Sequence, residues 1–207
     1  MENLWLKHAK RLHALASSGA TYTEDRYDRE RYDEIANIAV QMMAALSTVP
    51  VAVIEGLVGP FASGYVTPKV DVRGVVFKQR QILLVRERAD GLWCLPGGFA
   101  DVGLSAAENI VKEIREEACL RVRVDRLIGI RHQAKAPYEP DTRDFYKLFF
   151  LCVPTEKVES PQDEDILDFD YFALEKVPPL SLKKTISDDI QKAFRFLQDN
   201  QLLPFFD

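Results

Sequence analysis

Three glutamates lie close together in one amphipathic segment of the chain. Glu113, Glu116 and Glu117 are spaced i, i+3 and i+4, so on a helix their carboxylates project from neighbouring positions. Like charges this close repel one another unless a cation neutralises them. Oxygen ligands without a nearby Cys or His suit Mg²⁺ or Mn²⁺. The spacing therefore predicts a divalent-metal site, although a solvated acidic face paired with Lys112 and Arg115 would show the same spacing.

The segment that carries these glutamates is predicted to be a helix with a marked start. Ser105 and Glu108 have the spacing of a capping box, so the helix should begin at about Ala106. Apolar residues recur at helical spacing and should form its buried side: Ala107, Ile110, Val111, Ile114 and Ala118. Gly97 and Gly98 lie in a predicted loop that leads into this helix.

The glycine pair and the glutamate helix together resemble the Nudix box, G-x5-E-x7-R-E-U-x-E-E-x-G-U, where U is apolar. With Gly98 at the first glycine of that pattern, the three glutamates fall on the three clustered glutamates of the family. The apolar positions of the box fall on Ile114 and Leu120, and residues 93–97 also look like the family. The resemblance is specific because loop, helix start and glutamates agree at fixed offsets.

Three positions depart from the box. Leu104 stands where the box has its first glutamate, and Lys112 stands where it has arginine. Since the family's Glu and Arg usually form a supporting ion pair, both members of that pair have changed here. Cys119 stands where the box has glycine, which at a helix end commonly takes a left-handed conformation. We expect these changes to affect turnover rather than the fold or the metal site.

The resemblance implies a divalent-metal-dependent hydrolase. Its substrate would be a nucleoside diphosphate linked to another moiety, ADP-ribose-like or CDP-choline-like, whose pyrophosphate bond is cleaved to a nucleoside monophosphate and a phosphorylated product. By resemblance, Glu116 and Glu117 are direct ligands of Mg²⁺ or Mn²⁺, and the carbonyl of Gly97 adds an oxygen. Glu113 is either a ligand or the base that orients the attacking water. Glu164 is the candidate for a further metal ligand, with a solvated acidic turn as the alternative.

Four polar residues are candidate substrate contacts. Arg131 and His132 begin a long polar segment, residues 131–141, that is punctuated by proline as binding loops often are. His132 is a candidate for holding a phosphate or ribose, and a structural histidine is the alternative. Arg86 and Arg88 precede the box and are candidates for contacting a phosphate, whereas plain surface charge would give the same pattern.

The remaining patterns indicate an α+β fold. Apolar and β-branched runs predict strands at residues 70–77, 81–85, 122–130, 145–153 and 169–173. A last helix is predicted over residues 183–197. The resemblance implies a Nudix-type α/β/α sandwich with a mixed sheet over residues 66–207.

A small all-α domain is predicted to precede the sandwich, over residues 1–65. Helical periodicity indicates helices at residues 4–17 and 23–46, and Thr23 is the expected N-cap of the second. Each helix has an apolar stripe, formed by Trp5, Ala9, Leu12 and Ala16 in the first and by Ile35, Ile38, Ala39, Met42 and Leu46 in the second. Residues 47–68 are predicted to form a connector rich in Pro and Gly, with room for one strand or one short helix. The arrangement resembles bacterial ADP-ribose and CDP-choline pyrophosphatase-like Nudix hydrolases, whose helical domain commonly helps to form a homodimer.

Composition limits the remaining possibilities. Of 207 residues, 47% are hydrophobic and 29% charged, which excludes a wholly disordered chain. No apolar stretch reaches the about 18 residues of a membrane helix, so no membrane partner is expected. The start lacks the pattern of a secretory signal, so we expect a cytoplasmic protein. Three widely spaced cysteines do not suggest a disulfide framework or a zinc site.

Charge narrows the choice of partner. The formal net charge of −5 does not favour binding to DNA, and a small-molecule nucleotide substrate is expected instead. Two alternatives stay open from the sequence: a non-catalytic nucleotide-sensing Nudix module, and a hydrolase that processes RNA ends. Retention of all three glutamates favours the enzyme.

Overall fold

The structure is a computed structural model that describes residues 3–47, 50–58, 66–101, 103–157, 163–199 and 201–207, without the side chains of residues 56–58 and 157. Contacts divide the chain into two compact units. The first contains residues 1–69 with 140–144, and the second contains 70–139 with 145–207. The expected division adjoins residue 65, which lies outside the described ranges. Residues 48–49 and 59–65 of the expected connector also lie outside them, and its residues 51–58 are helical. That division stays a prediction.

The first unit is helical. It contains α1 (Leu4–Tyr22), α2 (Arg26–Ser47) and α3 (Val51–Val58). The side chain of Asn3 caps α1 by accepting a hydrogen bond from the backbone N–H of Trp5 at 2.8 Å. The prediction that Thr23 caps the second helix is wrong, because α1 continues to Tyr22 and Thr23 becomes its C-cap. Asp25 instead accepts a hydrogen bond from the N–H of Asp28 in the first turn of α2.

The predicted apolar stripes of α1 and α2 are only partly buried. Small and apolar residues form the core of the first unit: Leu6, Ala9, Val40, Met43, Ala44 and Ile54. Several members of the predicted stripes are instead exposed in the single chain: Trp5, Leu12, Ile35, Ile38 and Leu46. In the described part of the chain, no helix combines the length and apolarity that a membrane crossing requires.

Residues 140–144 belong to the first unit because a buried lysine binds them. The Lys10 ammonium donates to the carbonyl oxygens of Asp141 and Arg143 at 3.3 and 3.1 Å, and it forms an ion pair with Asp144 at 2.5 Å. The segment that the sequence predicts to be one long polar loop is thus divided between two units.

The second unit contains six strands. They are β1 (Lys69–Lys78), β2 (Gln81–Glu87), β3 (Trp93–Cys94), β4 (Leu120–His132), β5 (Phe145–Lys157) and β6 (Ile166–Phe172). The path of paired strands is β3-β2-β1-β5-β4, and β6, outside this path, pairs antiparallel with β2. The long β4–β5 pair is antiparallel and contains several bulges. Each predicted strand exists, with ends displaced by a few residues.

Two helices cover the sheet. The helix α4 (Ala106–Ala118) packs through Ile110, Ile114 and Ala118 on one face, and α5 (Ser187–Gln198) packs through Ile190 and Ala193 on the other. This confirms the expected α/β/α sandwich. The last helix starts at Ser187 and not at residue 183, because residues 182–184 form a separate turn in which the N–H of Thr185 donates to the carbonyl of Ser181 at 2.8 Å.

The start of α4 is as predicted, since Ser105 and Glu108 form both hydrogen bonds of the capping box. Its end is strained, because Cys119 adopts a left-handed conformation with φ 51°. Its N–H still donates to the carbonyl of Arg115 at 3.1 Å. The departure from glycine at position 119 therefore keeps the backbone path and replaces only the side chain.

Cys119→Gly should stabilise the protein by about 1 kcal/mol, since glycine adopts the left-handed region without the steric cost of a Cβ atom. Urea unfolding would measure the difference. Cys119→Ala is the matched control, because it removes the thiol and keeps the Cβ. A gain in the alanine variant equal to that of the glycine variant would show that the thiol, not the backbone, causes the strain.

Candidate functional site

The glycine loop is fixed along β1. The N–H groups of Val72 and Gly74 donate to the carbonyls of Gly98 and Pro96 at 2.9 and 2.8 Å. At Gly97, with φ 137°, a Cβ atom would lie 2.0 Å from the carbonyl oxygen of Val72. Any side chain there would displace the loop, so glycine is required by close contact with β1 as well as by backbone conformation.

Glu117 connects α4 to this loop. Glu117 is 6% exposed, and its carboxylate accepts a hydrogen bond from the N–H of Gly97 at 2.8 Å. Burial raises the pKa of Glu117 to about 8, against the opposing effects of the Arg73 charge and the Gly97 hydrogen bond. A buried carboxylate with one hydrogen bond is a group that a cation would stabilise in its ionised form.

Glu113 lies against the second glycine of the loop. A Cβ atom on Gly98 would approach Glu113 Oε2 to 2.9 Å, so the absence of a side chain there makes room for the carboxylate. Burial raises the pKa of Glu113, and Glu116 adds a smaller repulsive effect in the same direction. Two glutamates of the predicted set therefore face the glycine loop.

Glu116 is oriented differently. Its carboxylate accepts a hydrogen bond from Arg115 at 3.1 Å, and it lies 3.5 Å from the Lys112 ammonium. Within the described residues, no three His, Cys, Asp or Glu side chains are grouped closely enough to hold a metal ion. The donor atoms are nevertheless all oxygens, which suits a hard divalent cation.

A buried charge cluster behind the loop was not predicted from the sequence. Arg73 makes two hydrogen bonds to Asp71, at 2.9 and 3.2 Å, and the Lys147 ammonium binds the same carboxylate at 2.5 Å. All three side chains are nearly inaccessible to solvent. Burial alone would raise the pKa of Asp71, but Arg73 and Lys147 hold it below its usual value.

This cluster supports the site directly. Arg73 Nη1 donates to the carbonyl of Leu95 at 3.1 Å, two residues before Gly97, and the Arg73 charge acts on Glu117. The only sequence signal was the alternation of charged residues inside an apolar strand, at positions 69, 71 and 73. Such alternation normally indicates a solvated face, and here the face is buried.

Another buried carboxylate, that of Glu87, lies near the residues that precede the loop. Glu87 accepts a hydrogen bond from the Cys94 thiol at 3.4 Å and forms an ion pair with Lys184. Nearby, Thr185 accepts a hydrogen bond from the N–H of Leu95 at 2.9 Å. The segment before α5 thus holds residues 94 and 95 in place.

The acidic turn proposed to contain a further ligand lies beside α4. The N–H of Asp163 donates to the carbonyl of Glu116 at 3.0 Å. Arg88 holds the same turn, because its N–H donates to Asp165 O and its Nε donates to Glu164 O, both at 2.8 Å. The structure brings Arg88 and Glu164 together through the main chain, and the Glu164 side chain is exposed.

The other three candidate substrate contacts are Arg86, Arg131 and His132, and each of them binds another part of the chain. Arg86 is exposed and donates to the carbonyl of Gly91 at 2.9 Å. Arg131 is buried against α5, with Nη2 2.7 Å from Asp188 and its guanidinium over the Phe205 ring. The backbone N–H of His132 donates to Asp207 at 2.5 Å, and its ring contacts Tyr146 edge-on. These positions favour structural roles for Arg131 and, in part, for His132.

Comparisons with known proteins match both the helical part of the chain and the part that contains the site. The NUDIX domain model matches residues 67–194, and a model described as a UDP-X-like, N-terminal oligomerisation domain matches residues 3–58. The chain is 39% identical over 210 residues to a Bacillus subtilis (strain 168) protein provisionally named ADP-ribose pyrophosphatase YjhB, covering 100% of this chain and 99% of that protein.

Solved structures show the same fold. The crystal structure of a UDP-X diphosphatase is similar with a TM-score of 0.64 and 30% identity, covering 98% of each chain. An ADP-ribose pyrophosphatase from Streptococcus suis 89-1591 has a TM-score of 0.61 and 35% identity, covering 68% of this chain and 100% of that one. The chain belongs to the Nudix family, and it is a pyrophosphohydrolase of that family. Nudix hydrolases generally use divalent metal ions.

Asp71→Asn should destabilise the protein by about 3–5 kcal/mol, because it leaves the buried cations of Arg73 and Lys147 without a counter-charge. Lys147→Met should cost less, about 1–2 kcal/mol, since the bidentate Arg73–Asp71 pair remains neutral overall. Urea unfolding of both variants checks the order. A larger loss for Lys147→Met would contradict the charge balance described for this cluster.

Proposed function

We propose that the protein hydrolyses the pyrophosphate bond of a nucleoside diphosphate linked to another moiety, with ADP-ribose as the model substrate. The observation that carries the proposal is the buried Glu117 carboxylate hydrogen-bonded to Gly97, with Glu113 against Gly98. The end-to-end relative named for ADP-ribose supports this choice of substrate. The products would be a nucleoside monophosphate and a phosphorylated second moiety.

Mg²⁺ or Mn²⁺ is the proposed cofactor. Glu113, Glu116 and Glu117 would hold it with the carbonyl oxygen of Gly97, and Glu164 is the proposed further ligand. Glu116 would have to turn from Arg115 to do so, which its partial exposure allows. When bound, the cation supplies charge neutralisation at the phosphoryl oxygens and lowers the pKa of bound water.

The chain's own residues have three tasks in this proposal. Glu113 is the more accessible of the two α4 glutamates that face the glycine loop, and it orients the attacking water or acts as a ligand. Arg73 keeps positive charge near Glu117 and fixes Leu95, so the loop keeps its path during turnover. Lys112 reduces the repulsion between Glu113 and Glu116, which lie 3.6 and 3.5 Å from its ammonium.

A product assay tests the proposed substrate class. ADP-ribose, a UDP-sugar, CDP-choline, NADH, a nucleoside triphosphate and a short 5′-triphosphorylated RNA would be incubated with the enzyme and Mg²⁺ or Mn²⁺. We expect release of nucleoside monophosphate from ADP-ribose, and loss of activity on chelation. Exclusive cleavage of RNA ends would favour the RNA-processing alternative, and binding of nucleotides without any cleavage would favour the sensing alternative.

We also propose that the protein is a homodimer formed through the helical first unit. Exposed apolar side chains on α1 and α2 include Trp5, Leu12, Leu15, Ile35 and Ile38. Exposed apolar residues in such number on two neighbouring helices are typical of a protein–protein interface. The match of residues 3–58 to an oligomerisation-domain model supports this assignment.

Metal affinity should increase with pH between pH 6 and pH 8. The metal binds the ionised carboxylate, so at pH 6 binding must displace a proton from Glu117, whose pKa burial raises to about 8. One displaced proton gives up to about tenfold per pH unit. Titration with Mn²⁺ alone, without substrate, would measure this dependence.

Two variants complete this test. Glu117→Gln should weaken Mn²⁺ binding, reduce the pH dependence and lower kcat at least about 100-fold. Glu156→Gln, at an exposed ion pair with Arg121, is the matched control and should behave as the wild type. A pH-independent affinity in the wild type would contradict the assignment of Glu117 as a ligand.

Charges placed on the exposed helical surface should dissociate the dimer. Leu15→Glu combined with Ile38→Glu is expected to give half the wild-type mass in light scattering, because carboxylates would be buried without partners. Lys7→Glu, an exposed charge reversal on α1, is the control and should keep the dimer. A monomeric wild type, or a double variant with unchanged mass, would rule out this interface.

A further inference from the structure

The turn before α4 contains a carboxylate to which the Nudix box assigns no role. Asp101 Oδ2 lies 2.9 Å from Lys112 Nζ. Leu104, at the position of the box glutamate, has an apolar side chain that is 42% exposed. The ion pair that the family usually forms between these two positions is therefore absent, and Lys112 is paired instead with Asp101, three residues before Leu104.

We propose that Asp101 is a positioning residue that replaces the missing box glutamate: it holds Lys112, and through Lys112 it sets the spacing of Glu113 and Glu116. The Lys112 ammonium is 3.6 Å from Glu113 Oε1 and 3.5 Å from Glu116 Oε2, so it contacts three carboxylates at once. This inference rests on the proposed function, since it concerns residues proposed to bind the metal.

An independent observation shows that the turn is built to present Asp101. The amide of Asn109 is fully buried. Its Oδ1 accepts a hydrogen bond from the Asp101 N–H at 2.8 Å. Its Nδ2 donates to the carbonyl of Ser105 at 3.1 Å, and to those of Asp101 and Leu104 at 3.4 Å. A buried side chain on the first half of α4 thus fixes the backbone on both sides of the missing glutamate.

The identity of residue 112 fits this arrangement. Arginine presents a planar fork that suits a bidentate partner, whereas the lysine ammonium is a compact charge that can share several single contacts. The hydrogen bond from Lys112 to Asp101 is also the largest cause of the raised pKa of Lys112. Both changes from the box, at positions 104 and 112, are therefore consistent with one relocated ion pair.

The ion pair between Lys112 and Asp101 should affect metal binding more than it affects the stability of the fold. The side chains of Lys112 and Asp101 are 35% and 57% exposed, and ion pairs at this exposure contribute little to folding. If Asp101 is removed, Lys112 remains beside Glu113 and Glu116 without its outer partner and can close onto them. The glutamates would then be held by an internal cation in competition with the metal.

The test uses the full chain and Mn²⁺ alone. Asp101→Asn should weaken Mn²⁺ binding by about tenfold, as removal of a residue that orients metal ligands typically does. It should lower kcat on ADP-ribose with little change in KM, and leave the thermal midpoint unchanged. Asp101→Asn combined with Leu104→Glu should recover the affinity, because the carboxylate returns to the box position. Asp101→Asn combined with Leu104→Gln should not.

A second comparison separates positioning from local damage. In a Lys112→Met background, Asp101→Asn should have no further effect on Mn²⁺ affinity, since the two residues act through one contact. Unchanged affinity in Asp101→Asn, or additive effects with Lys112→Met, would overturn the proposal and leave the proposed function intact. A wild type that does not bind Mn²⁺ would overturn both.

Discussion

The close approach of Gly97 to β1 is the constraint on which the site depends. With no room for a Cβ atom beside the carbonyl of Val72, the loop can run along the strand only with glycine at this position. That path aims the Gly97 N–H at Glu117. One backbone contact thus fixes the loop, and the loop fixes the end of α4 that carries the glutamates.

Electrostatics around this contact are arranged in two layers. Behind the loop, Asp71, Arg73 and Lys147 form a buried cluster with one excess positive charge, which lies close enough to act on Glu117. In front of it, Lys112 and Asp101 lie in partial contact with solvent beside Glu113. The buried layer supports the loop through the hydrogen bond from Arg73 to the Leu95 carbonyl, and the exposed layer affects how the glutamates are spaced.

Sequence patterns predicted the parts of this site that are local. The capping box of α4 and the strands of the sheet follow from spacings of a few residues, and the structure confirms them. The Asp71–Lys147 pair joins residues far apart in the chain, so no local pattern could indicate it. The prediction that Thr23 is the N-cap of α2 was wrong, because the choice between Thr23 and Asp25 as the cap depends on where α1 ends.

Anomalous diffraction from crystals grown with Mn²⁺ would test the central claim most directly, since it locates the metal independently of any substrate. The account predicts a peak within coordination distance of a carboxylate oxygen of Glu117 and of the carbonyl oxygen of Gly97, with Glu116 turned towards it. A metal bound only by the exposed acidic turn at residues 163–165, with Glu117 still hydrogen-bonded and metal-free, would contradict it.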